Sequence, residues 1–251
     1  MAKEFSQPHE VVYYECDVNG AMTIPSIISV AIKVSETQSE LLQRGTAFIH
    51  QFGVTWILTN YHLEVNRLPK VGETIDVVTK AEEYNKYFCY RTFWLRTQTG
   101  EELVKIRAVF ALMNMETRKM SSVTEEIIAP FESEKITKIH RFGKLEKIVE
   151  GFTLPYRVRF YDIDSNQHVN NAVYFHWLLD VLGYEFLTTY IPKEMTIRYD
   201  KEVEYGNEIT SVVETVQTDS ERKTRHAICL GEQTCCEALI IWQKITDTVN
   251  N

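Results

Sequence analysis

The sequence predicts an α+β protein made of two similar halves, in each of which a helix is followed by several strands. Two stretches, 24–43 and 172–187, carry apolar residues at the three- and four-residue spacing of a helix. After each come runs of β-branched and aromatic residues, separated by turn residues. Before each lies a polar loop with an Asp-x-Asn pattern, beginning at Asp17 and at Asp164. Together these observations indicate that one structural unit occurs twice in the chain.

The first half is predicted to run from a strand through a polar turn into a long helix. The strand-like run falls within residues 11–23, and the helix begins at Ile24 and ends near Gln43. Four strands are predicted to follow, at Val54–Val65, Thr74–Ala81, Tyr87–Thr97 and Leu103–Met113. Residues 1–115 are therefore predicted to form the N-terminal domain.

The second half repeats this order after a segment of different composition. Residues 116–151 are rich in lysine, glutamate and serine and have no strong period, which predicts a linker. Beyond it come a predicted strand at 156–161, the polar loop, and an unbroken helix at 172–187. Four more strands are predicted, at Met195–Tyr199, Glu208–Thr218, Lys223–Leu230 and Thr234–Trp242. Residues 152–251 are predicted to form the C-terminal domain.

The two halves differ at the positions that could carry chemistry. Asp17 and Asp164 lie 147 positions apart, whereas the turn glycines Gly72 and Gly206 lie 134 apart. The first half therefore has 13 extra residues, which we place around 46–54. In this alignment His168 corresponds to alanine and Glu202 to leucine in the first half. Residues that the shared fold required would occur in both halves, whereas this histidine and this glutamate occur in the second half alone. The second half is therefore predicted to be catalytic.

Composition and charge narrow the class of protein. With 251 residues, 44% of them hydrophobic, and a formal net charge of −8, the chain can build a core but is poorly suited to binding nucleic acid or an acidic membrane surface. It has no run of 18 apolar residues and no apolar signal segment, so neither a membrane span nor secretion is expected. The odd count of five cysteines, without a C-x-x-C pair, argues against a disulfide framework or a structural zinc and favours the cytoplasm.

The polar loop of the second half has the groups that act on a polarisable carbonyl. Asp164, Asn166 and His168 precede a helix whose N-cap is predicted to be Asn170 or Asn171, so they lie beside free backbone N–H groups. The loop superficially matches a calcium-binding loop, but its sixth residue is glutamine and its twelfth is valine. Serine-hydrolase and zinc-protease motifs do not occur in the sequence. We expect neither a metal nor a cofactor.

These residues resemble the signature of the acyl-acyl carrier protein thioesterases. The resemblance rests on the sequence DSNQHVNN at 164–171, on Tyr174 and Trp177 behind it, and on the segment that ends at Glu202. It implies a tandem (double) hot-dog fold, in which two antiparallel sheets each wrap a long central helix and join side by side. It also implies that Asp164, Asn166, His168 and Glu202 are catalytic. Plant members have a cysteine after the glutamate, where this chain has valine.

The predicted mechanism is attack by water on the thioester without any thiol. His168 or Glu202 acts as general base, Asn166 orients water or substrate, and Asp164 holds the other ring nitrogen of the histidine. Backbone N–H groups at the helix start bind the developing oxyanion. A transient nucleophilic role for Glu202 stays open. For Asp164 and Asn166 a purely structural role also stays open, because the first half has Asp17 and Asn19 in the same places.

The expected activity is release of free fatty acid from acyl carrier protein, with the first half binding the acyl chain. An acyl-CoA thioesterase and a non-catalytic acyl-binding protein are the alternatives. The expected partner is acidic acyl carrier protein, without nucleic acid, and the protein is expected to be a monomer or homodimer. Because the chain is itself acidic, docking would need a local basic surface, for which the linker offers a cluster: Lys135, Lys138, His140, Arg141, Lys144 and Lys147.

Overall fold

The computed structural model describes residues 2–140, 142–143, 145–165, 167–218 and 221–245. The first half contains strands β1 to β5 and helices α1 and α2, at Glu4–Glu10 (β1), Ile24–Leu41 (α1), Thr46–His50 (α2), Val54–Val65 (β2), Thr74–Tyr84 (β3), Phe88–Thr97 (β4) and Glu102–Asn114 (β5). The second half contains Phe152–Arg157 (β8), Asn171–Asp180 (α4), Tyr184–Thr189 (α5), Tyr190–Tyr199 (β9), Glu208–Gln217 (β10), Arg222–Leu230 (β11) and Gln233–Lys244 (β12). Between them lie Met120–Ser121 (β6), Glu125–Ile128 (α3) and Glu134–Lys135 (β7).

The described strands form one large sheet in which the two halves have the same strand order. The order is β1-β3-β4-β5-β2 in the first half, continued by β9-β12-β11-β10-β8 in the second. The halves meet where β2 pairs antiparallel with β9, and His62 lies opposite Thr196 there, its own equivalent in the repeat. The register repeats as well, since Glu10 pairs with Thr74 and Arg157 pairs with Glu208. This arrangement is the internal duplication predicted from the sequence.

The long helix α1 lies on the sheet of the first half because its apolar residues fall on one side. Ile24, Ile27, Ile28, Ala31 and Val34 are all buried, at the spacing of one helix face. The helix starts after Thr23, whose hydroxyl accepts the N–H of Ser26 at 3.3 Å, and a proline occupies its first turn. Among the described helices, none is long and apolar enough to span a membrane.

The predicted helix at 172–187 is broken in the structure. Helix α4 ends at Asp180, and α5 begins at Tyr184 after Gly183, which has a φ of 80°. With a ψ of 164° this conformation takes the chain out of the helical path, and glycine adopts it without the steric penalty of a side chain. The apolar pattern is continuous across the break because both short helices pack on the same sheet.

The first strand of each half lies earlier than predicted. The predictions placed strands within 11–23 and at 156–161, but the strands are β1 and β8, and 3-10 turns follow at Tyr13–Glu15 and Phe160–Asp162. An acidic side chain closes each turn. Glu15 accepts the N–H of Val12 at 3.1 Å, and Asp162 accepts the N–H of Arg159 at 2.7 Å. Such side-chain acceptors compete with strand pairing, which explains why the strands end where they do.

The segment between the halves packs on the first half. Strand β6 pairs with β5, β7 pairs with β3, and the Tyr84 hydroxyl donates to Glu125 at 3.0 Å. Of the basic cluster predicted there, His140 contacts Glu83 at 2.6 Å and the Lys138 carbonyl accepts from Asn85 at 3.0 Å. Two members of that cluster, Arg141 and Lys144, lie outside the described residues.

Candidate active site

The loop before the helix is built in the same way in both halves. Asp17 accepts the N–H of Asn19 at 2.8 Å and of Ala21 at 3.1 Å, and Asp164 accepts the N–H of His168 at 3.3 Å. In each loop the aspartate N–H also donates to the carbonyl four residues on, at 2.8 Å. The Asp164 carboxylate accepts the backbone N–H of His168, and the predicted hydrogen bond to the ring nitrogen of that histidine stays a prediction. This shared aspartate therefore shapes the loop.

The second loop leads into the positive end of α4. Asn170 is the N-cap, since its side chain accepts the N–H of Ala172 at 2.9 Å. The N–H of Asn171 makes no hydrogen bond to the described residues, so it remains available to an anion at the start of the helix. Asn166 lies outside the described residues, and its predicted role stays a prediction.

Backbone contacts to the segment after β2 distinguish the two loops, and one of them is the bond from the Met22 N–H to the Pro69 carbonyl at 2.8 Å. In the first half, Val71 N–H donates to the Gly20 carbonyl at 3.0 Å and ties the loop to the segment after β2. The equivalent residues of the second half, Tyr205 and Gln167, are both described and make no such bond. The second loop is therefore not held to its neighbouring segment at this point.

His168 and Glu202 meet beside this loop. The Nε2 atom of His168 lies 3.9 Å from Oε2 of Glu202, and the side chains are 35% and 42% exposed. This distance exceeds a hydrogen bond, and one small rotation or one bridging water would close it. Strand β9 ends at Tyr199, where the predicted strand also ends, and Glu202 lies in the loop beyond it. A loop position explains how a charged side chain reaches the histidine.

Arg118 of the first half contacts the same carboxylate oxygen of Glu202 that faces the histidine. It lies in the turn after β5, where its N–H donates to the Asn114 carbonyl at 3.0 Å and its φ is 54°. A left-handed conformation in a residue other than glycine is uncommon and occurs often at functional sites. Local sequence patterns do not single out Arg118, because the contact joins residues from opposite halves.

Buried tyrosines support the floor of the site. The Tyr199 hydroxyl donates to the Asn171 carbonyl at 3.1 Å, and the Tyr174 ring packs edge-on against Tyr199 with centroids 5.1 Å apart. Burial raises the pKa of both phenols, so they remain neutral. Beyond β9 the Asp200 N–H donates to the Cys235 carbonyl at 2.9 Å, which fixes the start of the loop that carries Glu202.

A large cavity opens beside the loop. It has a volume of about 980 Å³, and Asp164, Ser165, Asn170 and Asn171 line one end of it. The rest of its wall comes from the first half, including Ile32, Trp56, Leu58, Cys89, Arg91 and Phe110. The cavity therefore joins the polar loop of one half to the sheet and helix of the other.

Glu36 on α1 is a second residue that sequence analysis missed. It lines this cavity, and its pKa is raised by desolvation, by the charge of Asp164 and by that of Glu40. Two carboxylates from different halves thus face the same polar space. Nothing in the local sequence of α1 distinguishes Glu36 from an ordinary surface glutamate.

The cysteines are poorly suited to attack a thioester. Burial raises the pKa of Cys89 to about 12 and raises the pKa values of Cys235 and Cys236, while Cys16 is raised by desolvation and by neighbouring carboxylates. A thiolate is the reactive form, and raised pKa values suppress it. The residue after Glu202 is Val203, which is buried.

Two family models match this chain. The acyl-ACP thioesterase N-terminal domain matches residues 2–131, and the acyl-ACP thioesterase C-terminal domain matches residues 145–244. The chain therefore belongs to the acyl-ACP thioesterase family, as the resemblance of its motif predicted.

Among curated proteins, the chain is similar to plant enzymes. A chloroplastic acyl-[acyl-carrier-protein] hydrolase of Cuphea viscosissima is 30% identical over 83% of the chain and 54% of that relative. The chloroplastic oleoyl-acyl carrier protein thioesterase 2 of Arabidopsis thaliana is 24% identical over 83% of the chain and 62% of that relative. The chain thus spans between about half and three fifths of the length of these relatives.

Solved structures are similar along nearly the whole chain. A Lactobacillus plantarum protein provisionally described as an oleoyl thioesterase is 35% identical, with a TM-score of 0.94, and 97% of each chain is covered. The 12:0-ACP thioesterase of Umbellularia californica is 20% identical, with a TM-score of 0.84, over 96% of this chain and 97% of that one. At 20% identity, the similarity to the Umbellularia californica structure is evidence for the fold alone.

Proposed function

We propose that this protein hydrolyses the thioester of fatty acyl-acyl carrier protein and releases free fatty acid. The observation that carries the proposal is the pairing of His168 with Glu202, 3.9 Å apart, beside the polar loop that lines one end of the 980 Å³ cavity. A base at the thioester and a long cavity for the acyl chain are the two things this reaction needs. Membership of the family supports the same reaction.

The proposal assigns the molecule a tandem hot-dog fold. Residues 1–115 form the N-terminal hot-dog domain that holds the acyl chain, 116–151 the linker, and 152–251 the C-terminal domain with the catalytic residues. The matching strand order of the halves and their antiparallel junction between β2 and β9 support this division.

In the proposed mechanism water attacks the thioester carbonyl. His168 or Glu202 removes the proton from that water, and the Asn171 N–H at the start of α4 stabilises the oxyanion of the tetrahedral intermediate. When the intermediate collapses, the C–S bond breaks, the fatty acid is released, and the protonated base returns its proton to the departing thiolate. Arg118 positions Glu202 toward the histidine and does not itself touch the substrate. Asp164 keeps the loop in shape, and Asn166 orients water or substrate. Direct attack by Glu202 remains the second route to the same product.

Acyl carrier protein is the proposed partner, and an acyl-CoA thioester is the alternative substrate. We place the protein in the cytoplasm, in keeping with five free cysteines, acting as a monomer or homodimer.

The test is a comparison of acyl-carrier-protein and acyl-CoA substrates over a range of chain lengths with the purified protein. Faster turnover of the carrier-protein substrates is expected. Equal or better turnover of the CoA substrates would reassign the substrate, and absence of turnover with both would leave an acyl-binding protein.

A further inference from the structure

A positive charge lies buried in the wall of the cavity. Arg91, on β4, is 8% exposed, and its Nη1 atom donates to Oε1 of Gln38 at 2.7 Å and to Oγ1 of Thr79 at 2.9 Å. Both partners are neutral. The ring of Phe131 lies 5.4 Å from the guanidinium carbon and contributes a cation–π contact. These contacts hold the guanidinium in place without neutralising it.

The guanidinium has no carboxylate partner. Among the described residues, no Asp or Glu oxygen lies within 4.0 Å of Arg91. A buried charge without a counter-ion is unfavourable, and burial accordingly lowers the pKa of Arg91 to about 10. Natural proteins rarely keep such a charge unless something pairs with it.

Part of the guanidinium remains free to bind. Arginine has five N–H donors, and both side-chain bonds described here leave from Nη1. The Nε and Nη2 groups have no partner among the described residues. Because Arg91 lines the cavity, these donors can reach a ligand inside it.

Arg91 lies away from the polar loop, across an apolar stretch. Strand β4 is separated from β2 by β5, so Arg91 lies two strand spacings, about 10 Å, from the strand at the junction of the halves. Between the two ends the wall includes Ile32, Leu58 and Phe110. A chain that enters past Asp164 would cross this apolar wall before it meets the guanidinium.

We propose that this cavity recognises an acyl chain carrying an oxygen, as a hydroxyl or a carboxylate, at some distance from the thioester, and that Arg91 is the recognising group. The inference rests on the proposed function, in which the cavity holds the acyl chain. An unsubstituted alkyl chain would cover the guanidinium with methylene groups and leave its donors unpaired, which is unfavourable. An oxygen on the chain would accept from Nε or Nη2.

Binding of acyl methyl esters tests this without requiring turnover of a thioester, because the ester end carries no carboxylate that could itself pair with Arg91. Methyl esters of unsubstituted acids and of ω-hydroxy acids, and monomethyl esters of dicarboxylic acids, all of matched length, are titrated into the purified protein, with the fluorescence of Trp56 in the cavity wall, or calorimetry, as readout. The wild type is expected to bind one of the oxygenated series about tenfold or more tightly than the unsubstituted series. The hydroxyl and carboxylate arms show which oxygen group fits.

Two variants remove the available charge in different ways. Arg91→Met replaces the guanidinium with an apolar side chain, and Gln38→Glu supplies an internal carboxylate where the amide oxygen now lies 2.7 Å from Nη1. Both are expected to lose the preference for oxygenated chains. Cys89→Ala, which changes the same wall without touching the charge, is the control and should keep it.

Several results would overturn the inference. Equal affinity of the wild type for all three series would do so, even if neither variant folds. So would an Arg91→Met protein that only accepts longer unsubstituted chains, since Arg91 would then limit chain length. Selective binding of oxygenated chains without hydrolysis of any thioester would contradict the proposed function and keep this binding site. Hydrolysis of thioesters without any preference for oxygenated chains would support the proposed function and contradict this binding site.

Discussion

Asp17 in the first half and Asp164 in the second shape the same kind of loop, yet only the second loop carries an imidazole. Each aspartate accepts the backbone N–H four residues on, from Ala21 or from His168, and the two helices start after equivalent capping residues, Thr23 and Asn170. The duplicated loop is thus part of the architecture. The halves differ at His168 in this loop, which is alanine in the first half, and at Glu202 in the loop after β9, which is leucine there.

The interiors of the two halves also differ, because the first half contains a cavity where the second half is packed. Arg91 lies opposite Ala81 in the first half, and its equivalent Thr224 lies opposite Thr215 in the second. Where Arg91 borders a cavity, the Thr224 hydroxyl accepts from the indole of Trp242 at 2.8 Å in a packed core. The half that lacks an equivalent of His168 therefore contains the cavity, and the interior of the half with His168 is packed. This difference agrees with the proposed division, in which the second half carries the catalytic residues and the first half holds the acyl chain.

The largest expected effect comes from removing the imidazole. His168→Ala should lower kcat by about 10²- to 10⁴-fold, because general-base catalysis contributes about this much. Steady-state hydrolysis of an acyl-acyl carrier protein substrate measures it.

The matched change in the first half is Asp17→Ala. It should leave kcat within a few-fold and lower the free energy of unfolding by about 1 kcal/mol, as lost side-chain caps do. A folded Asp17→Ala protein that is as inactive as His168→Ala would contradict the division of labour between the halves.

A second prediction concerns the filled core of the second half. His226 is 2% exposed, and burial lowers its pKa to about 3. Between about pH 6.5 and pH 3 the unfolded chain binds a proton that the folded protein does not, so the free energy of unfolding falls as the pH falls through this range. The loss is of the order of 5 kcal/mol in total.

The equivalent residue in the first half is Phe93, because Phe93 lies opposite Thr79 and His226 lies opposite Val213. His226→Phe should therefore make stability less dependent on pH below about 6.5. Urea unfolding at several pH values measures this. An unchanged pH dependence in a folded variant would show that other groups dominate the acid sensitivity.

The sequence predicted what is periodic or duplicated and missed what depends on contacts between halves. Helix α1 and strands β2 to β5 follow from their apolar patterns, and the site motif follows from its repeat and its resemblance. Arg118 and Glu36 were missed because each meets its partner across the junction, where local patterns carry no information. The break at Gly183 was missed because the apolar pattern continues through it.

A smaller effect is expected from Arg118, the residue of the first half that contacts Glu202. Arg118→Met should lower kcat about threefold to tenfold with little change in KM, since an exposed ion pair contributes modestly. Arg118→Lys, or free guanidinium added to the methionine variant, should restore part of the loss.

Lys119→Met, next along the same turn, is the matched control and should leave kcat unchanged. A rise in KM as large as the fall in kcat, or failure of both rescues, would assign Arg118 a merely structural role.

The smallest expected effect tests whether the second loop is strained. Gln167 has a φ of 64°, and the equivalent residue of the first half is Gly20 with a φ of 66°. A left-handed residue other than glycine is unfavourable by about 1–2 kcal/mol, while glycine also makes the unfolded chain more flexible. Gln167→Gly should therefore raise the free energy of unfolding by about 0.5 kcal/mol, measured in urea.

The reciprocal change, Gly20→Ala, should lower the free energy of unfolding by about 1 kcal/mol. It should do so through the backbone alone, because an added Cβ would meet only the Val71 side chain at an ordinary 3.7 Å. If the second loop is held in its conformation for catalysis, Gln167→Gly should also lower kcat slightly, since a freer loop positions His168 less well. Stabilisation of Gln167→Gly with an unchanged kcat would show that the strain serves no purpose in turnover. Destabilisation by Gln167→Gly would show that the glutamine side chain, and not its backbone, determines the stability of this loop.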